Sequence, residues 1–203
     1  MTADLRALAL NCTLKPSPAE SSTEALAQVV LDALAGLGAT TEMIRVVDHD
    51  VRPGVTSDEG GGDQWPLIHE KLLAADILVL ASPTWLGQPS SIAQRVLERM
   101  DAMLAETDEL GRPVAYDRVA GIVVTGNEDG AHHVIANLGQ ALIDIGYTIP
   151  GQAWTYWNKG PGPGEEVYLT SDDREWSDAT GRTAAANLAA VARALRSKPM
   201  PAP

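Results

Sequence analysis

Leu5-Arg6-Ala7-Leu8-Ala9-Leu10 is followed by Asn11-Cys12-Thr13-Leu14-Lys15-Pro16-Ser17-Pro18-Ala19-Glu20-Ser21-Ser22-Thr23 and then by a long segment ending near Leu37. The apolar run suits a short buried strand. From Ser22 onward, apolar residues recur at Leu26, Val29, Val30, Ala33, Leu34 and Leu37, the spacing of an amphipathic helix. A strand that turns directly into a helix presents free backbone N–H groups and the positive end of the helix dipole. A phosphate binds there without a dedicated cage. Thr13, Ser17, Ser21, Ser22 and Thr23 can each donate to phosphate oxygens, and Lys15 adds a charge. The plainer reading of the same residues is an N-cap, with Ser21 or Ser22 holding a helix start.

Working outward, Gly36 and Gly38 stop the helix, and Glu42–Val47 predicts a second strand. Asp58-Glu59-Gly60-Gly61-Gly62-Asp63 reads as a flexible acidic loop, whose glycine run offers no fixed geometry for a metal. A helix is predicted over Trp65–Ala74, with Pro66 suited to its first turn. Asp76–Ala81 is a continuous apolar run, fit for the centre of a parallel sheet. The polar turn Ser82–Ser91 leads from it into a helix predicted over Ser91–Glu106, with Ile92, Val96, Met100 and Met103 on one face. Val119–Val124 is a fourth strand, ending in Thr125-Gly126-Asn127-Glu128-Asp129-Gly130 before a helix over Ala131–Ile145. A fifth strand begins at Tyr147–Pro150 and continues through Ala153–Trp157. After the irregular Gly160–Gly164 segment, a last helix runs over Trp176–Ser197, and Lys198–Pro203 is expected to fray. Strand–helix alternation of this kind predicts a parallel sheet with right-handed crossovers and helices on both faces.

The 203 residues, 45% hydrophobic and 21% charged, predict one domain over residues 1–203. A net charge of −12, from 15 basic and 27 acidic residues, argues against general binding to nucleic acid or anionic membranes. It leaves room for a small phosphorylated ligand in one local site. The single cysteine fits a reducing, cytoplasmic setting. No apolar run approaches the about 18 residues of a membrane span, so no membrane insertion is expected.

Three polar loops each follow the carboxyl end of a predicted strand: Thr13–Thr23, Ser82–Ser91 and Thr125–Gly130. In an open parallel sheet of strand order 2-1-3-4-5, ligands bind beyond those ends where the order reverses, so the three loops should converge on a nucleotide-like site.

These motifs resemble the NADPH-dependent FMN reductases and related NAD(P)H:quinone-type oxidoreductases of flavodoxin fold. The resemblance covers roughly Leu5 to Ile149. It rests on Thr13-x-Lys15 with Ser21-Ser22-Thr23, on Ser82-Pro83-Thr84-Trp85-Leu86-Gly87, and on Thr125-Gly126-Asn127. The chain departs from the family in carrying Lys15 where arginine is frequent and two prolines in the first loop. The resemblance implies an α/β, flavodoxin-like three-layer sandwich with a five-stranded parallel sheet. It implies that Thr13, Lys15, Ser21, Ser22 and Thr23 hold the FMN 5′-phosphate. Pro83, Thr84, Trp85, Leu86 and Gly87 would line the isoalloxazine ring, and Thr125, Gly126 and Asn127 would close its other side. Trp85 either covers the ring or packs in the core, and Glu128 and Asp129 either join the site or simply begin a helix.

Other residues read as weaker candidates. His132 and His133, adjacent on a helix, point in different directions, and His132 either edges the ring or starts a solvated helix. His49 and His69 have no companion metal ligands, so no metal site is expected. Cys12 reads as a small packed residue. Trp154, Tyr156, Trp157 and Trp176 either roof the flavin, in this subunit or a partner's, or pack the last helix. Two functions follow from the resemblance. The first is an NAD(P)H-dependent FMN oxidoreductase, passing hydride from NADPH or NADH through flavin to a quinone, a free flavin or another electrophile, with no catalytic side chain required. The alternative is an FMN electron carrier without NAD(P)H activity; a flavin-free protein of this fold is a third class. Homodimers or homotetramers are the rule the resemblance implies, with the Ile92–Met103 helix and Trp154–Trp157 as candidate contact surfaces.

Overall fold

The computed structural model describes residues 4–202. In chain order its elements are β1 (Arg6–Asn11), α1 (Ser22–Gly36), β2 (Thr40–Arg45), α2 (Trp65–Ala74), β3 (Ile77–Trp85), β4 (Gln88–Pro89), α3 (Ser91–Met100), β5 (Val119–Gly126), α4 (Ala131–Ile145), β6 (Trp154–Asn158) and α5 (Glu175–Ser197). The parallel strands lie in the order β2-β1-β3-β5-β6, and β4 folds back antiparallel on the end of β3. With this short return strand set aside, the order is the predicted 2-1-3-4-5 of a flavodoxin-like sandwich.

The central strands are continuous apolar runs because both faces of the sheet are covered. Side chains alternate between the faces. Leu8, Leu10, Leu78, Leu80, Ile122 and Val124 enter the core shared with α2, α3 and α4, while Ala7, Ala9, Ile77, Val79, Val119 and Val123 enter the core shared with α1 and α5. Gly121 interrupts the pattern for a steric reason: a Cβ there would lie 2.7 Å from Leu188 Cδ1 and 2.9 Å from the Ala153 carbonyl oxygen.

Several boundaries differ from the sequence reading. The second strand ends at Arg45, and Val46–Asp48 forms a 3-10 turn. Helix α3 stops at Met100 and tightens into a 3-10 turn over Asp101–Leu104. Thr148 makes an isolated parallel bridge to Val119, and the chain turns at Gln152, in the left-handed region with φ 55°, before β6 begins. The tail expected to fray is tied at Met200, whose N–H donates to Asp117 Oδ1 (2.8 Å) and whose carbonyl accepts from Arg112 (2.9 Å). Pro203 lies outside the described residues.

The acidic loop before α2, expected to be flexible, is instead organised around a buried ion pair. Arg99, on α3, meets Asp63 at 2.8 Å with both side chains fully buried. The guanidinium also donates to the carbonyls of Thr56 and Arg52, and it lies 5.6 Å from the Trp65 ring centroid. Asp63 accepts from the N–H groups of Glu59, Trp65 and Arg52 as well. Burial acts to raise the Asp63 pKa, but the hydrogen bonds from Arg99 and these three amides outweigh it and hold the carboxyl well below its usual range.

Removing one partner of such a pair strands a buried charge, so Asp63→Asn should lower stability by about 3–5 kcal/mol. Because the folded-state pKa is depressed, the carboxylate's contribution is present above the unfolded pKa of about 3.9 and is lost as pH falls through and below it. Melting temperatures of the parent and Asp63→Asn, measured from neutral pH downward, should therefore differ most near neutrality, begin to approach each other only below about pH 4, and converge as pH falls toward the depressed folded-state pKa.

Candidate functional site

At the carboxyl ends of β1, β3 and β5 the three polar loops meet around an open cleft. Each wall has a local cause. Helix α1 begins where Ser21, in extended conformation, caps it by accepting the Glu24 N–H on its Oγ (3.2 Å). The first N–H groups of a helix have no intrahelical acceptor, which leaves Ser22 and Thr23 at the cleft with donors to offer. Thr13 and Lys15 come from the loop before the cap. The Lys15 N–H donates to Thr13 Oγ1 (3.3 Å), and its ammonium reaches the Glu20 carbonyl (3.3 Å).

The second wall is the end of β3. Pro83, Thr84 and Trp85 line the cleft. Thr84 is only 3% exposed, and its Oγ1 meets no hydrogen-bond partner among the described residues. A buried hydroxyl without a partner costs about 1–3 kcal/mol. The turn from β3 to β4 consists of Leu86 and Gly87, with φ values of 52° and 71°. Two successive left-handed residues fit a tight hairpin, and Gly87 supplies one of them freely. Leu86 supplies the other against its preference and stands 91% exposed.

The third wall comes from β5. Thr125, Gly126 and Asn127 line the cleft. Thr125 Oγ1 and Thr23 Oγ1 lie 2.7 Å apart, so these two hydroxyls are already paired and join α1 to β5. A Cβ on Gly126 would sit 2.9 Å from the Thr84 Cβ, which makes glycine the residue that leaves Thr84 room.

The structure thus brings together the sequence-predicted site residues except Leu86 and Gly87, which form the adjacent turn, and Ser17, whose N–H and hydroxyl turn away to Asp48. Leu14, Trp157, Val167 and Tyr168 line it in addition. Val167 and Tyr168 lie in the β6–α5 segment, which is fastened over the β5 end: the Lys159 N–H donates to the Gly126 carbonyl (3.2 Å), and Asn127 exchanges hydrogen bonds with Gly164. Their signal in the sequence was a small apolar island, Val167-Tyr168-Leu169, inside a polar stretch. Tyr168 donates its hydroxyl to Asp178 Oδ1 (2.6 Å); burial and this carboxylate push the phenol up, so it stays protonated.

The aromatic group divides by strand alternation. Trp157 faces the cleft side and donates its indole N–H to the Asp173 carbonyl (3.0 Å). Trp154 and Tyr156 face the other way and stack on each other, with His132 edge-on to both and Trp176 edge-on to Tyr156. His132 therefore belongs to this outer cluster and not to the cleft lining. Cys12 is buried and its thiol is pushed up by burial, which leaves it unreactive. Among the described residues no group of three or more His, Cys, Asp or Glu is placed to hold a metal ion.

The family model described as NADPH-dependent FMN reductase matches residues 5–161. The chain belongs to this family. It is 34% identical to the 8-demethyl-8-aminoriboflavin-5′-phosphate synthase of Streptomyces davaonensis, over 96% of this chain and 80% of that protein. A crystal structure of RosB with a bound 8-demethyl-8-formylriboflavin-5′-phosphate intermediate superposes with a TM-score of 0.87 at 34% identity, covering 97% of this chain and 82% of that one. The divalent metal cation transporter MntH of Mycobacterium bovis is 39% identical over 95% of this chain, but the match spans only 29% of that protein. Among the described residues no helix is long and apolar enough to cross a membrane.

Gly130, at φ 107°, packs the β5–α4 turn against the β3–β4 turn: a Cβ there would lie 2.8 Å from Gly87 Cα. Gly130→Ala should therefore cost about 1–3 kcal/mol through left-handed strain and backbone collision. Urea denaturation of the variant measures the loss.

Proposed function

We propose that the cleft binds FMN and that the chain is an FMN-dependent oxidoreductase that accepts reducing equivalents from NADPH or NADH. The observation that carries this reading is the convergence of three strand-end loops on one cleft in which the buried Thr84 hydroxyl is unpartnered. The residues fit the group. Thr13, Lys15, Ser21, Ser22 and Thr23 would hold the 5′-phosphate, combining hydroxyls, helix-start amides and one cation. Pro83, Thr84 and Trp85 would border the ring on one side and Thr125, Gly126 and Asn127 on the other, with Thr84 offering the hydrogen bond it makes to nothing else. When bound, the flavin supplies two-electron chemistry between a reduced nicotinamide and a small acceptor such as a quinone or another flavin. The chain's part is to orient, exclude water and set the polarity at the ring edge. Trp85, 51% exposed, stands at the mouth where a second planar molecule would enter. Family resemblance further supports a homodimer or homotetramer. The reading places it in the cytoplasm, consistent with a single free cysteine.

A second reading is favoured by the similarity, over nearly the whole chain, to a synthase of a modified flavin phosphate and to a structure holding such a flavin. In it, bound FMN is itself the substrate. Anaerobic addition of NADPH and then NADH to the FMN-loaded protein should bleach the flavin band, which ranks the two donors. A flavin that stays oxidised with both would instead indicate a carrier, and a change in flavin mass after aerobic incubation would indicate the second reading.

Thr84→Val separates site from scaffold. Removing an unpartnered buried hydroxyl should raise the melting temperature of the flavin-free protein, by the equivalent of about 1 kcal/mol, while weakening FMN binding several-fold. Thermal unfolding and fluorescence titration read the two effects. Unchanged binding in the stabilised variant would remove Thr84 from the site.

A further inference from the structure

Resting on the FMN reading of the cleft, we propose that Arg45, which does not line it, is the positioning residue that shapes the Thr13–Thr23 loop for phosphate. Arg45 ends β2 and pairs in register with Asn11, the end of β1. Both side chains converge on one carboxylate: Asn11 Nδ2 donates to Glu24 Oε2 at 2.9 Å, and Arg45 donates to the same oxygen through Nε at 2.9 Å and through its second terminal nitrogen. Its remaining nitrogen donates to the carbonyls of Ala19 (2.7 Å) and Lys15 (3.2 Å). One guanidinium thus fixes the first turn of α1 and two points of the loop at once.

The sequence Ser21-x-x-Glu24 has the form of a capping box, in which the glutamate would return to the cap's own N–H. Here Ser21 makes its half of the box, while the Glu24 carboxylate is directed to Asn11 and Arg45. Asp48 braces the outer bend in the same way, accepting from the Ser17 N–H (2.8 Å) and hydroxyl (2.5 Å). The loop is therefore braced from outside by Arg45 and Asp48, in addition to its own internal hydrogen bonds, and Thr13, Lys15 and Ser22 line the cleft. Thr84, buried and with its hydroxyl unpartnered, lines the same cleft.

The test compares FMN with riboflavin, which lacks the phosphate. Lysine keeps the charge but cannot span the Glu24 carboxylate and two carbonyls from one planar group. Arg45→Lys should weaken FMN binding roughly tenfold, about 1.4 kcal/mol, and riboflavin binding less than about twofold. Glu24→Gln, which keeps the shape and one acceptor oxygen, should move the same ratio in the same direction by less. Amide hydrogen exchange in the flavin-free variants should rise within residues 13–23 and stay unchanged in β3 and β5. Equal weakening of FMN and riboflavin, unchanged FMN binding, or unchanged exchange in the loop would each overturn the assignment. A parent protein that binds neither flavin would overturn the FMN reading itself and this role with it; that case is recognised by the parent failing along with the variants.

Discussion

The site depends on the carboxyl ends of β1, β3 and β5 being held at a common level, and buried hydroxyls do much of that holding. Ser90, ahead of α3, donates its Oγ–H to the Cys12 carbonyl at 2.6 Å and accepts the Ala93 N–H at 3.0 Å, while its own N–H donates to Ser82 Oγ at 3.0 Å. One serine therefore caps a helix and ties β1 to β3. The Thr23–Thr125 pair does the corresponding work between α1 and β5. Each bond is worth only about 0.5–1.5 kcal/mol net, but leaving its partner buried and unpaired costs more, so the network specifies geometry more than it adds stability. Where these hydroxyls are satisfied the chain is scaffold. Thr84, on the cleft wall, is left unpaired.

Much of this was legible in local sequence. Continuous apolar runs at Leu5–Leu10, Asp76–Ala81 and Val119–Val124 announce central strands because burial on both faces leaves no room for polar alternation. The helices over Trp65–Ala74 and Ala131–Ile145 follow from periodicity and from Pro66. The strand-end position of the three polar loops follows from strand order alone. What escaped reading depends on partners distant in the chain. Asp58–Asp63 looks mobile until Arg99, far along the sequence, enters it. Arg45 looks like an ordinary strand residue until Glu24 and the loop carbonyls close around it. Val167 and Tyr168 reach the cleft only because Asn127 and Gly164 fasten their segment to the β5 end. Composition and spacing carry no record of such pairings.

A chain with a net charge of −12 can hold a phosphate only if recognition is local. The cleft meets that condition with amides and hydroxyls more than with cations. Lys15 supplies the positive charge in its lining, while Arg45 is spent on Glu24 and on carbonyls behind the loop. Short-range donors at a helix start work at hydrogen-bond distance and are little affected by the acidic surface beyond. The same surface disfavours polyanions, so a local phosphate site and a strongly acidic exterior are compatible parts of one specificity.

The end of β3 gathers two departures from local preference within three residues. Thr84 keeps a buried hydroxyl unpaired, and Leu86 adopts a left-handed conformation with its side chain in solvent. Both could be removed by ordinary substitutions, valine at the first and glycine at the second, with a gain in the folded chain's own stability. Elsewhere along the cleft rim the strained positions are glycines, as at Gly87 and Gly130, where the conformation is free. Local cost that the scaffold does not need, concentrated beside a cleft, is the pattern expected where a ligand completes the structure. On that argument the end of β3, with the Leu86–Gly87 turn beside it, carries local cost that the folding of the sheet does not require.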